Sequence, residues 1–322
     1  MPSMKEMTYL ARDFWRVSTG RDYFHRHQGL GAYFRDPRCY YIDFTAKAQW
    51  EGEFVENVPA IYVPAWGKHV TQAVMVVQYG LGCMDRYFLE GDPAALEGVR
   101  QVSSWIPRHL RQEGFLDNRF QELNPRDTFY SNNSALTEGE ALSFCVRAIQ
   151  NKLVPAPAIE ELRASVETIA RNMMLPLDKM GTVLRRADGV YLCEYCRKDE
   201  HVVLNGWIIA AFGLRDYVQF CGDAAASSML EATLQTLVTA LPDYQLPNGW
   251  TYYDNKGLIC SPFYHAAHIS LLDALDKLQG DPRIKTVLER CRRANGPLNR
   301  VRYTLQRAVC KLCEKTLFAG KA

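Results

Sequence analysis

The sequence predicts a mainly helical chain of successive helix hairpins, as in an α/α toroid or a bundle, behind an irregular N-terminal segment. Two observations carry this. Apolar residues recur at helical spacing: Leu204, Trp207, Ile208, Ala211 and Phe212 fall at i, i+3, i+4, i+7 and i+8. Leu142, Cys145, Val146 and Ile149 repeat the stripe, as do His268, Leu271, Leu272 and Leu275. Glycine and proline punctuate the joints, in G-D-P at 91–93, V-P-A-P-A at 154–158, L-P-N-G at 246–249 and G-D-P at 280–282. No βαβ alternation, phosphate-binding glycine loop, low-complexity tract or strict repeat appears. The period alone does not separate a toroid from a bundle.

Taken in order, residues 1–67 are rich in Tyr, Phe, Gly and Pro and read as irregular, with a strand-like part at Y-Y-I-D-F-T-A-K-A-Q-W (40–50). From Val70 onward the reading is almost wholly helical. Besides the three stripes, helices are expected near 70–89, 94–112, 157–174, 225–240, 282–293 and 299–315. The expected division is an N-terminal irregular or hairpin segment over 1–67 and a helical domain over 68–322.

Of the 322 residues, 48% are hydrophobic and 23% charged, an ordinary globular composition. Lys and Arg number 38 against 36 Asp and Glu, a formal charge of +2, which gives no support to a nucleic-acid partner. The N-terminus carries acids and aromatics where a signal peptide needs an apolar run, and no stretch approaches the ~18 apolar residues of a membrane span. The reading is a cytoplasmic protein. Most of the ten cysteines look reduced and buried, as Cys145 does inside L-S-F-C-V-R-A-I. Two Cys-x-x-Cys pairs, Cys193/Cys196 and Cys310/Cys313, lie more than a hundred residues apart. Zinc ribbons place theirs about 15 to 20 apart. No metal is expected.

Polar and aromatic residues gather in four islands: Y-S-N-N-S-A-L-T-E-G-E-A-L-S-F-C-V-R-A (130–148), L-C-E-Y (192–195), V-L-N-G-W (203–207), and G-W-T-Y-Y-D-N-K (249–256) followed by F-Y-H-A-A-H-I-S-L-L (263–272). Most lie in loops that join helices, and at one rim of a toroid such loops would line a cleft. Together with Q-Y-G-L (78–81) and Y-Y-I-D-F-T-A-K, these islands resemble the C-terminal catalytic domain of the D-glucuronyl C5-epimerases. The likeness spans roughly residues 40 to 275, and the order of the islands carries it. The animal members have a β-rich domain between Q-Y-G-L and the catalytic helices, for which this chain has no room.

The resemblance implies an incomplete α/α toroid acting without a cofactor on an anionic uronate-containing polysaccharide, converting D-glucuronate to L-iduronate. It leaves a homodimer open. C5 of a hexuronate lies α to the carboxylate, so loss of its proton gives an enediolate, and inversion needs a base on one face and an acid on the other. By the resemblance these roles fall to Glu194 and Tyr264, with Tyr195 and Tyr253 assisting. Lys256, Asn205, His265 and His268 are candidates to bind the substrate, as are Gln78 and Tyr79. Animal members have Arg where Lys256 stands, and Lys lacks the bidentate fork.

Each residue has a plainer alternative. Glu194 could be a solvated loop acid and Tyr264 a cover for a helix end. Asn205 could be an N-cap, Gln78 and Tyr79 core-lining, and His268 a structural histidine on an apolar face. His265 and His268, at i and i+3, lack an acid partner at metal-ligand spacing. Two other functions remain open: a polysaccharide lyase sharing the C5 carbanion, and a non-catalytic glycan-binding protein.

Overall fold

The computed structural model describes residues 25–63, 66–124 and 126–307. The triplet Gly91-Asp92-Pro93 shows how its helices are joined. Gly91 ends one helix at φ 67°, a left-handed conformation that costs glycine no Cβ clash. Asp92 then caps the next helix through the Ala94 N–H, and Pro93 opens it with a preset φ. Gly280-Asp281-Pro282 repeats the device, and Gly222-Asp223-Ala224 repeats it without the proline. Each joint turns the chain back on itself.

Among the described residues, eight helices of the hairpins result: α1 (Ala73–Glu90), α2 (Pro93–His109), α3 (Ala135–Gln150), α4 (Ala156–Met173), α5 (Leu204–Cys221), α6 (Ala224–Ala240), α7 (Pro262–Gln279) and α8 (Pro282–Ala294). They pair as the hairpins α1/α2, α3/α4, α5/α6 and α7/α8, while α1, α3, α5 and α7 pack side by side in chain order. Two reversals separate neighbouring inner helices, so the inner helices run parallel. The fold is an incomplete α/α toroid, as expected. The inner helices are buried on most sides, α3 continuously from Ala135 to Ile149, whereas α2, α4 and α8 bury only a stripe. Each fully buried Leu or Phe contributes roughly 1.5–3 kcal/mol.

The crossing of α3 and α5 depends on having no side chain at the contact. A Cβ on Gly139 would sit 2.7 Å from the Ala210 Cα, and one on Gly213 would overlap the Gly139 backbone. Across the same pair, the buried Arg147 guanidinium and Asp216 carboxylate form an ion pair, and Ser143 and Tyr41 each donate a hydroxyl to Asp216 at 2.6 Å.

Two sequence expectations need correction. Residues 40–50 do not form a strand. They make one isolated bridge, Leu30 to Ile42, and then a 3₁₀ turn at Thr45–Ala48. Beside that bridge Gly31 N–H donates to the Tyr41 carbonyl and Asp43 N–H to the Gly29 carbonyl, while Tyr40 N–H donates to the Asp85 carboxylate and the adjoining Cys39 carbonyl accepts from Arg147. Nor is the chain almost wholly helical after Val70. A hairpin of β5 (Val183–Arg186) and β6 (Gly189–Leu192) interrupts it. Its two-residue turn is Ala187-Asp188, closed by the pair Arg186 and Gly189, and the Asp-Gly step there is a hairpin signal that the helical reading passed over. Near the N-terminal end, β1 (Phe54–Val55) pairs with β2 (Val58–Pro59), and β3 (Ile61–Val63) with β4 (Lys68–Val70). Among the described residues, no helix is long and apolar enough to cross a membrane.

Candidate active site

Because the inner helices run parallel, their first turns gather at one rim. A cavity of about 330 Å³ opens there, lined by Gln78 of α1, Thr137 of α3, Asn205 of α5 and Tyr264 of α7, with Glu194 and Tyr195 from the loop after β6. Helix N-termini carry partial positive charge, an environment that favours an anion.

Glu194 is placed by the β5–β6 hairpin and admitted by Gly206. A Cβ on Gly206 would lie 2.5 Å from the Glu194 Cβ. The carboxylate is buried and accepts from Asn205 Nδ2 at 3.3 Å, with the hydroxyls of Tyr195 and Tyr253 near enough to favour its ionised form. Burial pushes its pKa up to about 7, outweighing those groups and the charge of His201. Tyr253 also packs on Tyr264, the two rings meeting edge to face at 4.8 Å. Burial and the neighbouring carboxylate raise all three tyrosines above the ordinary phenol range, so each is a neutral proton donor near pH 7. The result is a connected set of one carboxyl and three phenols, with Tyr253 between Glu194 and Tyr264.

The loop carrying Tyr253 is shaped by Asp254. Its buried carboxylate accepts from the N–H groups of Lys256 (2.9 Å) and Leu258 (3.0 Å) and bonds His201 Nε2 at 2.9 Å. Burial alone would raise its pKa, but these bonds outweigh it and hold the group low. His201 in turn stacks on Tyr195 with ring centroids 5.8 Å apart. Gln78 is steadied from behind, its Nε2 donating to buried Glu140 at 3.0 Å.

The structure therefore brings Glu194, Tyr195, Tyr253, Tyr264, Asn205 and Gln78 together. It does not bring the other four candidates. Lys256 points away from the cleft and donates Nζ to the Asp199 carbonyl at 2.7 Å, because the Asp254-centred turn directs it outward. His265 and His268 lie on the inward face of α7, fully buried, both against Thr251 Oγ1. Burial lowers His265 to about 4 and His268 to about 3, so both are neutral packing groups. Tyr79, about 100° round the helix from Gln78, faces a separate depression with Phe54 and Gly98.

Cys193 and Cys196 are free and buried, and burial raises both thiols, Cys193 to about 12. Their backbone carbonyls accept from Ala135 and Tyr130, anchoring the segment on either side of Glu194 and Tyr195. Cys310 and Cys313 lie outside the described residues. Two residues that shape the site, Gly206 and His201, were not singled out in the sequence, although Gly206 sits within V-L-N-G-W; Asp254 stood in the G-W-T-Y-Y-D-N-K island without a role.

The family profile described as D-glucuronyl C5-epimerase C-terminus matches residues 119–293, a span that contains every member of this cluster except Gln78. The chain belongs to that family. An uncharacterized protein of Methanocaldococcus jannaschii is 29% identical over 98 residues, 29% of this chain and 32% of the relative, so the chain matches about a third of that protein's length. Among solved structures, cellobiose 2-epimerase from Bacillus thermoamylovorans B4167 is similar at 14% identity and a TM-score of 0.49, over 88% of this chain and 73% of that one. The unsaturated glucuronyl hydrolase of Bacillus sp. GL1 is similar at 14% identity and a TM-score of 0.45, over 68% and 60%.

Proposed function

We propose that this epimerase-family chain is a uronate-processing enzyme that inverts C5 of D-glucuronate residues in a polysaccharide. The observation that carries the reading is the clustering of Glu194, Tyr253 and Tyr264, a base tuned near neutrality beside neutral phenols, the two rings 4.8 Å apart. Ionised Glu194 takes the C5 proton, and the C–H electron pair moves into the carboxylate to give the enediolate. Tyr264 then donates its hydroxyl proton to C5 from the opposite face. Tyr253, next to both, offers a path for the proton now on Glu194 to return to the Tyr264 phenolate, and these groups exchange with solvent between turnovers. The neutral hydroxyls of Tyr195 and Tyr253 and the Asn205 amide offer donors to the developing charge.

The reading is supported by family membership and by this cluster. Its test is incubation with heparosan-type oligosaccharides in deuterated water, followed by NMR at C5. Deuterium at C5 together with iduronate signals is the expected result. An ultraviolet-absorbing unsaturated product would make the chain a lyase, and no exchange with tight binding would make it a glycan-binding protein.

A further inference from the structure

An enzyme for an acidic sugar needs positive charge near the reacting carboxylate, yet among the described residues no Lys or Arg lines the cleft that holds Glu194. Lys256 faces elsewhere. A second cavity, of about 240 Å³, adjoins the first and shares His25 and Tyr264 with it; Tyr253, Leu258, Ile259, Cys260, Ser261 and Arg307 also line it. We propose that Arg307 receives a uronate carboxylate in this second cavity, making it a subsite beside Tyr264. The inference rests on the uronate reading above.

The placement of Arg307 follows from how its helix is held. Residues 297–307 are helical, and Tyr303 is buried where its ring stacks on Trp250 at 4.5 Å. Trp250 stacks on His265 at 3.9 Å, the residue next to Tyr264, and Asn248 donates to the Tyr303 hydroxyl at 2.8 Å. The stack thus fixes this helix against the start of α7. Arg307 comes four residues after Tyr303 and so lies on the same helix face, one turn on. Leu298, Val301 and Leu305 occupy the opposite face, 88%, 61% and 61% exposed.

The guanidinium is half-buried, and no carboxylate of the described residues is within ion-pair distance of it. Its positive charge acts on Tyr264 and Cys260, which places it electrostatically at the rim of the acid–base cluster. A planar guanidinium with parallel N–H groups matches a carboxylate in two-point contact, and one at the mouth of a site for acidic sugars, with no carboxylate of the described residues beside it, has that ligand available. The carboxylate has two sources, the reacting sugar or the next uronate along the chain.

The test is equilibrium binding by calorimetry of a heparosan trisaccharide with one uronate and a longer oligosaccharide with several. Arg307→Gln, Arg307→Lys and Lys256→Met are compared with the unchanged chain, thermal melts verifying that each folds. Arg307→Gln should weaken binding about 10- to 100-fold, the loss given by one charged hydrogen-bonded contact, with Arg307→Lys intermediate and Lys256→Met unchanged. Loss with both ligands assigns the reacting sugar's carboxylate, and loss with the longer one alone assigns a neighbour's. Unchanged affinity of folded Arg307→Gln for both, or the Arg307→Gln loss appearing instead in Lys256→Met, overturns the subsite. Binding does not depend on turnover, so Arg307-dependent binding without C5 exchange would sink the epimerase reading and leave the subsite standing.

Discussion

Asn205 Nδ2 lies 3.3 Å from Glu194 Oε2, tying the first turn of α5 to the loop that leaves β6. The bond favours the ionised carboxylate and opposes the burial that raises Glu194 to about 7. Glu194 acts as base only when ionised, so kcat/KM on D-glucuronate substrates should rise with pH through about 7. Asn205→Ala removes a donor to the ionised form and should move this limb to higher pH. A pH–rate profile with the limb unmoved would show that the Asn205 amide does not tune the base.

Glu194→Gln and Tyr264→Phe should each lower epimerisation by about 10²- to 10⁴-fold, the usual worth of one acid–base group. Each variant should retain C5 exchange with solvent only in the epimer whose proton faces the remaining group. Single-turnover deuterium incorporation into glucuronate and iduronate oligosaccharides reads this directly. Wild-type rates in both folded variants would remove these two residues from the chemistry.

Gly206→Ala separates packing at the site from stability of the helix. Alanine is the better helix former by up to about 1 kcal/mol, but its Cβ would collide with the Glu194 side chain. Activity should fall about as far as in Glu194→Gln while the protein stays folded. Comparing rates with melting temperature checks it, and full activity would mean that Glu194 has room to shift without consequence.

Stability should fall as pH rises from about 4 toward about 8. Burial raises Asp85 to about 7 and Glu138 to about 8, so across that window the native state holds protons that the unfolded chain has already released. Where the native state binds more protons, unfolding free energy decreases with pH. Glu138→Gln keeps an acceptor for the Leu116 N–H, bonded at 2.8 Å, and removes one of the titrating groups. Urea midpoints at about pH 5 and about pH 9 should therefore differ less in this variant than in the parent. An equal difference in both would show that Glu138 does not titrate in this range.

The sequence by itself determined the helices and their joints. Apolar stripes of period 3.6 and the Gly-Asp-Pro joints act over a few residues, so Leu204, Trp207 and Ile208 announce α5 without reference to the rest of the chain. It also carried Glu194, Tyr195, Asn205, Tyr253 and Tyr264 within its polar and aromatic islands, although Asn205 and Tyr264 stand in the first turns of α5 and α7 and not in joining loops. Their assembly into one connected cluster was decided only by the tertiary structure, because it depends on parallel inner helices bringing residues 78, 194, 205 and 264 to one rim. The same holds for what the islands exclude. Lys256 carries the right charge at the right place in the chain, yet the hydrogen bonds of Asp254 turn it outward, and His268 carries the right chemistry but faces the core. Direction of a side chain from a loop, or around a helix packed on several sides, is set by long-range contacts that no local pattern encodes. Arg307 shows the converse: unremarkable in the sequence, it reaches the cavity beside the cleft because Tyr303, one turn earlier, is buried against Trp250.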